Sequence, residues 1–203
     1  MSKNYPESYR LAEEIFRRNK GILRTSEAKA LGIPETILSR MLEDGLIIKE
    51  ARGLYRLADV MLREPDLVQV SKLVPKSIIC LISALEFHNL TTQIPKKIYI
   101  ALPQEIKAPR IDYPPLDIVY LSKGPYSAGI EEHEIDGVTV KIYEKEKTIA
   151  DCFKFRNKIG LDIAIEALKD YLSSGEINLD KLSHYAEIDR VKSIITPYIK
   201  ASL

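Results

Sequence analysis

The residues able to do chemistry are few and scattered. His88, His133 and His184 lie far apart in sequence, and none shares a metal-ligand spacing with Cys80 or Cys152. A zinc site is therefore not expected. No phosphate-binding glycine loop, dinucleotide fingerprint, nucleophile-elbow serine or zinc-protease motif occurs, so no cofactor is expected either. One enzymatic pattern is present. Asp66 followed by Glu105-Ile106-Lys107 loosely fits metal-dependent nucleases, where two carboxylates hold Mg²⁺ and a lysine positions water. Glu105 lies beyond Pro103, outside the adjacent strand pattern, and short patterns of this kind arise by chance. The reading is a protein without catalysis. His88, near the end of an apolar helical run, is expected to place a favourable charge at a helix C-terminus. Lys147, Lys154 and Lys158 lie along one helix and its lead-in. They form either a solvated face or a patch facing phosphates.

The elements that would position an interface begin at the N-terminus. A first helix is expected from about Pro6 to Asn19, with Leu11, Ala12, Ile15 and Phe16 on its inner face. A short second helix starts after Thr25, whose side chain suits a cap, and turns Ala28 and Leu31 inward until Gly32 ends it. A third helix runs from about Pro34 to Asp44, with Ile37, Leu38, Met41 and Leu42 on one face. Two strand patterns follow, 46–49 and 54–57, joined by a turn containing Gly53. Helix, helix-turn-helix and β-hairpin is the winged-helix order. In that fold the third helix enters the DNA major groove. Its outward residues here are Glu35, Thr36, Ser39, Arg40 and Glu43. Arg40 can read guanine, while Thr36 and Ser39 can reach bases or phosphates. Thr25, Ser26 and Lys29 suit phosphate contacts, and Arg52 at the wing tip suits a minor groove or a phosphate. The two glutamates on the same helix face weigh against DNA, and some winged helices bind protein instead.

The pattern changes past Leu62-Arg63-Glu64-Pro65-Asp66, where Pro65 is expected to break the chain into two units, 1–62 and 70–203. An almost wholly apolar run from Ile78 to His88 reads as a buried helix. Strands are expected at 97–102 and 117–122, and a hairpin at 132–143 around Asp136-Gly137. Helices alone follow. Thr148 and Asp151 are spaced like a capping box opening the first of them. The fold class is α+β: an N-terminal winged helix-turn-helix, then a mixed α/β domain with a helical C-terminal part.

Composition sets the outer bounds. The chain has 203 residues, with thirty basic and twenty-nine acidic side chains and a net charge of +1. That excludes a histone-like polycation or an acidic tail protein but leaves room for a local basic face. Residues 1–60 are slightly basic and the remainder slightly acidic. No apolar run approaches the length of a membrane span, and the polar opening Met1 to Pro6 lacks an apolar signal core. The expected location is the cytoplasm, without membrane contact. The two cysteines are expected as buried free thiols.

The chain resembles the AbiEi-type antitoxins of type IV, abortive-infection toxin–antitoxin systems. The N-terminal likeness rests on Gly32-Ile33-Pro34, Leu38, Leu42, Gly45-Leu46 and Arg52-Gly53-Leu54-Tyr55-Arg56-Leu57. Further on it rests on Ser83-Ala84-Leu85, His88, Leu90-Thr91 and Ile98-Tyr99-Ile100-Ala101. Its most specific stretch is Tyr143 to Phe153, continuing through Arg156 to Asp162 and Glu166-Ala167-Leu168. The family typically has arginine where this chain has Lys147. The resemblance implies an antitoxin that binds operator DNA and represses its own operon. It also implies a nucleotidyltransferase-like toxin as functional partner, opposed without a stable complex, with antitoxicity carried by the second domain. A winged-helix protein-interaction module without an operator, and a metal-dependent nuclease, are the alternatives.

Overall fold

A computed structural model describes residues 5–202. Of the opening stretch read above, Met1 to Asn4 lie outside the described residues. The N-terminal unit comprises α1 (Glu7–Arg18), β1 (Ile22–Arg24), α2 (Thr25–Ala30), α3 (Glu35–Glu43), β2 (Ile47–Ala51) and β3 (Leu54–Leu57). The strands form an antiparallel sheet in the order β1-β3-β2. This is the winged-helix order, with one strand added. At three residues, β1 is too short to show a period, so sequence reading passed over it.

The core of this unit joins Tyr9, Ala12 and Phe16 of α1 to Leu38 and Met41 of α3 and to Leu23, Ala28, Ile33, Ile47 and Leu57. The inner face of α1 is rotated from the expected one. Leu11 is 58% exposed, and Tyr9 takes the core position instead, with its hydroxyl donating to Asp44 Oδ2 at 2.9 Å. Leu31, expected inside, is 45% exposed because α2 has already ended at Ala30.

Pro65 opens a helix. It is the first residue of α4 (Pro65–Leu73), where a missing N–H costs nothing. That helix packs on both units. Val68 joins Ile22 of β1, Leu54 of β3 and Val138 in one small buried cluster. The Gln69 amide donates to Glu50, and Lys72 reaches Glu27 at 3.3 Å.

The second sheet contains β4 (Ile78–Ile79), β5 (Ile98–Pro103), β6 (Leu116–Leu121), β7 (Ile130–Ile135) and β8 (Val138–Tyr143), in the order β6-β5-β4-β8-β7. It is mixed: β5–β6 and β4–β8 pair parallel, while β4–β5 and β7–β8 pair antiparallel. The Asp136-Gly137 hairpin turn is present, with φ of 50° and 74°. The buried helix expected over 78–88 is shorter, α5 (Leu81–Phe87). Ile78 and Ile79 instead pair with Ala101 and Ile100. An apolar run without polar breaks fits a buried strand as well as a buried helix.

Side-chain alternation divides the core. Ile78, Ala101 and Tyr143 face a helical layer, while Ile79, Ile100 and Ile142 face α4. A short α6 (Lys123–Ser127) follows β6. The helical layer adds α7 (Lys145–Lys154), α8 (Arg156–Ile159), α9 (Leu161–Ser173), α10 (Leu179–Ile188) and α11 (Lys192–Ser202). Cys80 and Cys152 are buried free thiols. No helix of the described residues is long and apolar enough to cross a membrane.

Candidate nucleic-acid interface

Helix α3 buries Leu38 and Met41, and its 3.6-residue period therefore turns Thr36, Ser39 and Arg40 outward. All three are exposed, together with Glu35 and Glu43. The Ser39 hydroxyl donates to the Glu35 carbonyl at 3.0 Å. Lys29, on α2, meets the Glu35 carboxylate at 2.5 Å. Both partners of that pair are exposed, so the bond is worth at most about 1 kcal/mol and exchanges readily for a phosphate.

Thr25 does not cap α2. Arg24 occupies the position before the helix, and its N–H donates to Glu27 Oε2 at 2.7 Å. Thr25 is the first helical residue, and its N–H donates to the Gly53 carbonyl at 2.9 Å. Gly53 turns the wing with φ of 75°. A β-carbon there would lie 3.5 Å from the Thr25 hydroxyl oxygen. The wing tip is thus tied to the start of α2. Thr25, Ser26 and Arg52 share one corner, with Ser26 and Arg52 exposed.

The base of the wing holds a feature that sequence reading missed. Arg56 Nε donates to Glu50 at 2.5 Å, and the guanidinium also bonds the Leu57 and Val60 carbonyls. Both side chains are largely shielded, so the pair stiffens the hairpin.

The three lysines proposed as a phosphate-facing patch are engaged elsewhere. Lys147 has 0% exposure and donates to Asp151 Oδ1 at 2.6 Å and Asp189 Oδ2 at 3.1 Å. Its ammonium lies 4.6 Å from the centre of the Tyr143 ring. Lys154, with its side chain 27% exposed, closes the network on Asp189 Oδ1 at 3.0 Å. Lys158 pairs with Asp117. These lysines neutralise carboxylates of their own chain and form no free cationic face.

Thr148 and Asp151 also require correction. Helix α7 begins at Lys145, three residues before Thr148, so neither residue is at its cap. Thr148 is fully buried, and its hydroxyl donates to the Tyr143 carbonyl at 3.0 Å. Burial and the neighbouring Asp189 push the Asp151 carboxyl up to about 7, against the pull of Lys147. Burial pulls the Lys147 ammonium down, but Asp151 and Asp189 outweigh it and its pKa is raised. One signal was available: a lysine four residues before an aspartate, with apolar Ile149, Ala150, Cys152 and Phe153 interleaved between and after them.

His88 does not act as an end charge. It follows α5, its Nε2–H donates to the Tyr143 carbonyl at 2.7 Å, and burial lowers its pKa. His133 lies nearby across the Phe87 ring. Glu105 and Lys107 are exposed in a turn, and Asp66 accepts a long bond from the Tyr113 hydroxyl. Among the described residues no group of three or more His, Cys, Asp or Glu could hold a metal ion.

The order of helices and strands makes the N-terminal unit a winged helix. Residues 10–58 match the family model described as "Transcriptional regulator, AbiEi antitoxin". The likeness read from the sequence is therefore shown over that unit. No curated protein matches the chain. A crystal structure of the RV2827C protein from Mycobacterium tuberculosis is similar in fold, with a TM-score of 0.64 at 11% identity. The alignment covers 98% of this chain and 83% of that one, so the shared architecture extends through both sheets and the helical layer.

Proposed function

We propose that the protein is a DNA-binding antitoxin of the AbiEi type that represses its own operon from the cytoplasm. The observation carrying this reading is the exposed corner made by α3, the start of α2 and the wing. Arg40 would read bases, with Thr36 and Ser39 beside it. Thr25, Ser26, Lys29 and Arg52 would contact phosphates. The functional partner would be a nucleotidyltransferase-like toxin encoded alongside, opposed by the second unit (residues 70–203) without a stable complex. The match over residues 10–58 supports the regulator part. The toxin part rests on the resemblance of the Tyr143 to Phe153 stretch.

Two measurements test the reading. A reading frame for a nucleotidyltransferase-like protein should lie beside this gene, and co-expression of this chain should rescue cells from it. An Arg40→Ala, Arg52→Ala variant should still rescue while losing repression of the operon. Rescue lost together with repression in a folded variant would contradict the division of labour.

A further inference from the structure

A cleft of about 450 Å³ opens between the N-terminal unit and the second sheet, lined from both sides by cationic residues. Arg18 and Lys20 stand at the end of α1, Arg24 at the end of β1 and Lys72 on α4. Glu27 lies among them, engaged by Lys72 and the Arg24 N–H. At the rim Arg18 pairs with Glu14 and Lys20 with Glu134, both exposed pairs that a phosphate displaces at little cost.

Strand alternation fixes where Arg24 points. Leu23 belongs to the core of the N-terminal unit, while Ile22 is fully buried in the cluster between the units. Arg24 therefore shares the inter-unit face with Ile22. It is half-buried there, and among the described residues its guanidinium has no carboxylate within ion-pair distance. A guanidinium without a carboxylate partner is a ready anion site.

Lys20 forms the lip. A β-carbon on Gly137 would fall 2.7 Å from Lys20 Cγ, so the lysine stem lies flat against the hairpin turn. Thr139 supplies a hydroxyl from β8. The volume falls in the range of small-molecule sites, roughly 300–1,000 Å³.

We propose that this cleft binds a small, multiply phosphorylated ligand of nucleotide size. Arg24 grips one phosphate as a fork, and Arg18 and Lys20 balance the remaining charge. The ligand bridges the two units behind the corner formed by Thr25 and the wing.

The test is calorimetric titration of the full chain with ATP, GTP and inorganic pyrophosphate at physiological salt. At least one should bind with a stoichiometry near one and raise the melting temperature. Arg24→Gln should weaken binding about tenfold or more, and Lys20→Gln should weaken it less. Lys200→Gln, remote on the exposed C-terminal helix, should change nothing. Absence of binding at millimolar ligand overturns the proposal, as does equal weakening by Lys200→Gln. If Arg24→Gln lowers affinity for a random duplex while no small phosphate binds, the cleft is DNA-contacting surface and the proposal fails.

Discussion

Replacing Lys147 by methionine removes the buried cation from a cluster of two lysines and two aspartates and leaves its packing volume nearly intact. In the wild type Lys147 and Lys154 face Asp151 and Asp189, with Lys147 in direct contact with both carboxylates. After the change, Asp151 and Asp189 confront each other with only Lys154 to help, and Lys154 sits at the outer edge. Breaking one partner out of a buried pair costs about 3–5 kcal/mol. Protonation of Asp151 offers partial relief, because its pKa already stands at about 7. The loss should therefore be smaller at pH 5 than at pH 8. Adding Asp151→Asn to Lys147→Met should recover part of it, which a double-mutant cycle in chemical denaturation would measure. A Lys147→Met variant within about 1 kcal/mol of wild type at pH 8 would refute the reasoning. A surface lysine facing phosphates would behave in that way.

Three further outcomes follow from the same geometry. Asp151 holds its proton in the folded state up to about pH 7 and loses it near pH 4 when unfolded, so its contribution to stability falls as pH rises through that window. Asp151→Asn should remove a slope of at most about 1.4 kcal/mol per pH unit, visible as a difference between denaturation curves taken from pH 4 to 8. Thr148→Val keeps the shape but loses the bond to the Tyr143 carbonyl, costing about 0.5–1.5 kcal/mol in thermal melts. Rescue from toxin should fall only as far as folded protein is lost, and a variant that melts like wild type yet fails to rescue would assign Thr148 to function. A fragment of residues 1–62 uncovers Ile22 and Leu54, which Val68 and Val138 help to bury. Since full burial of such a side chain is worth about 1.5–3 kcal/mol, the fragment should melt below the full chain, and equal melting would show that the units do not support each other.

Much of the fold was legible because strong local signals agreed with tertiary packing. The Leu38–Met41 stripe, Gly53 in the wing turn and Asp136-Gly137 in the hairpin each dictate one local conformation. Ile78-Ile79 was not legible as a strand, since burial on both sides erases the alternation that marks one. Helix α4 was missed because Pro65 serves equally as a stop and as a first helical residue, and only the apolar surfaces on both sides decide between them. The exposed residues of α3 could be read from their spacing. The lysines of α7 could not, because a cation looks the same in sequence whether water or a buried aspartate waits for it. Asp189, which settles the matter, lies forty-two residues away from Lys147.

Operator recognition by α3 is the central claim, and fluorescence anisotropy tests it most directly. The full chain is titrated onto its own promoter fragment and onto a scrambled duplex of equal length, across a salt series. The account predicts tighter binding to the promoter. It also predicts that Arg40→Ala costs about 1–3 kcal/mol on the promoter alone, while Arg52→Ala weakens both duplexes and lowers the salt slope by about one. Equal affinity of the wild type for promoter and scrambled duplex would contradict it.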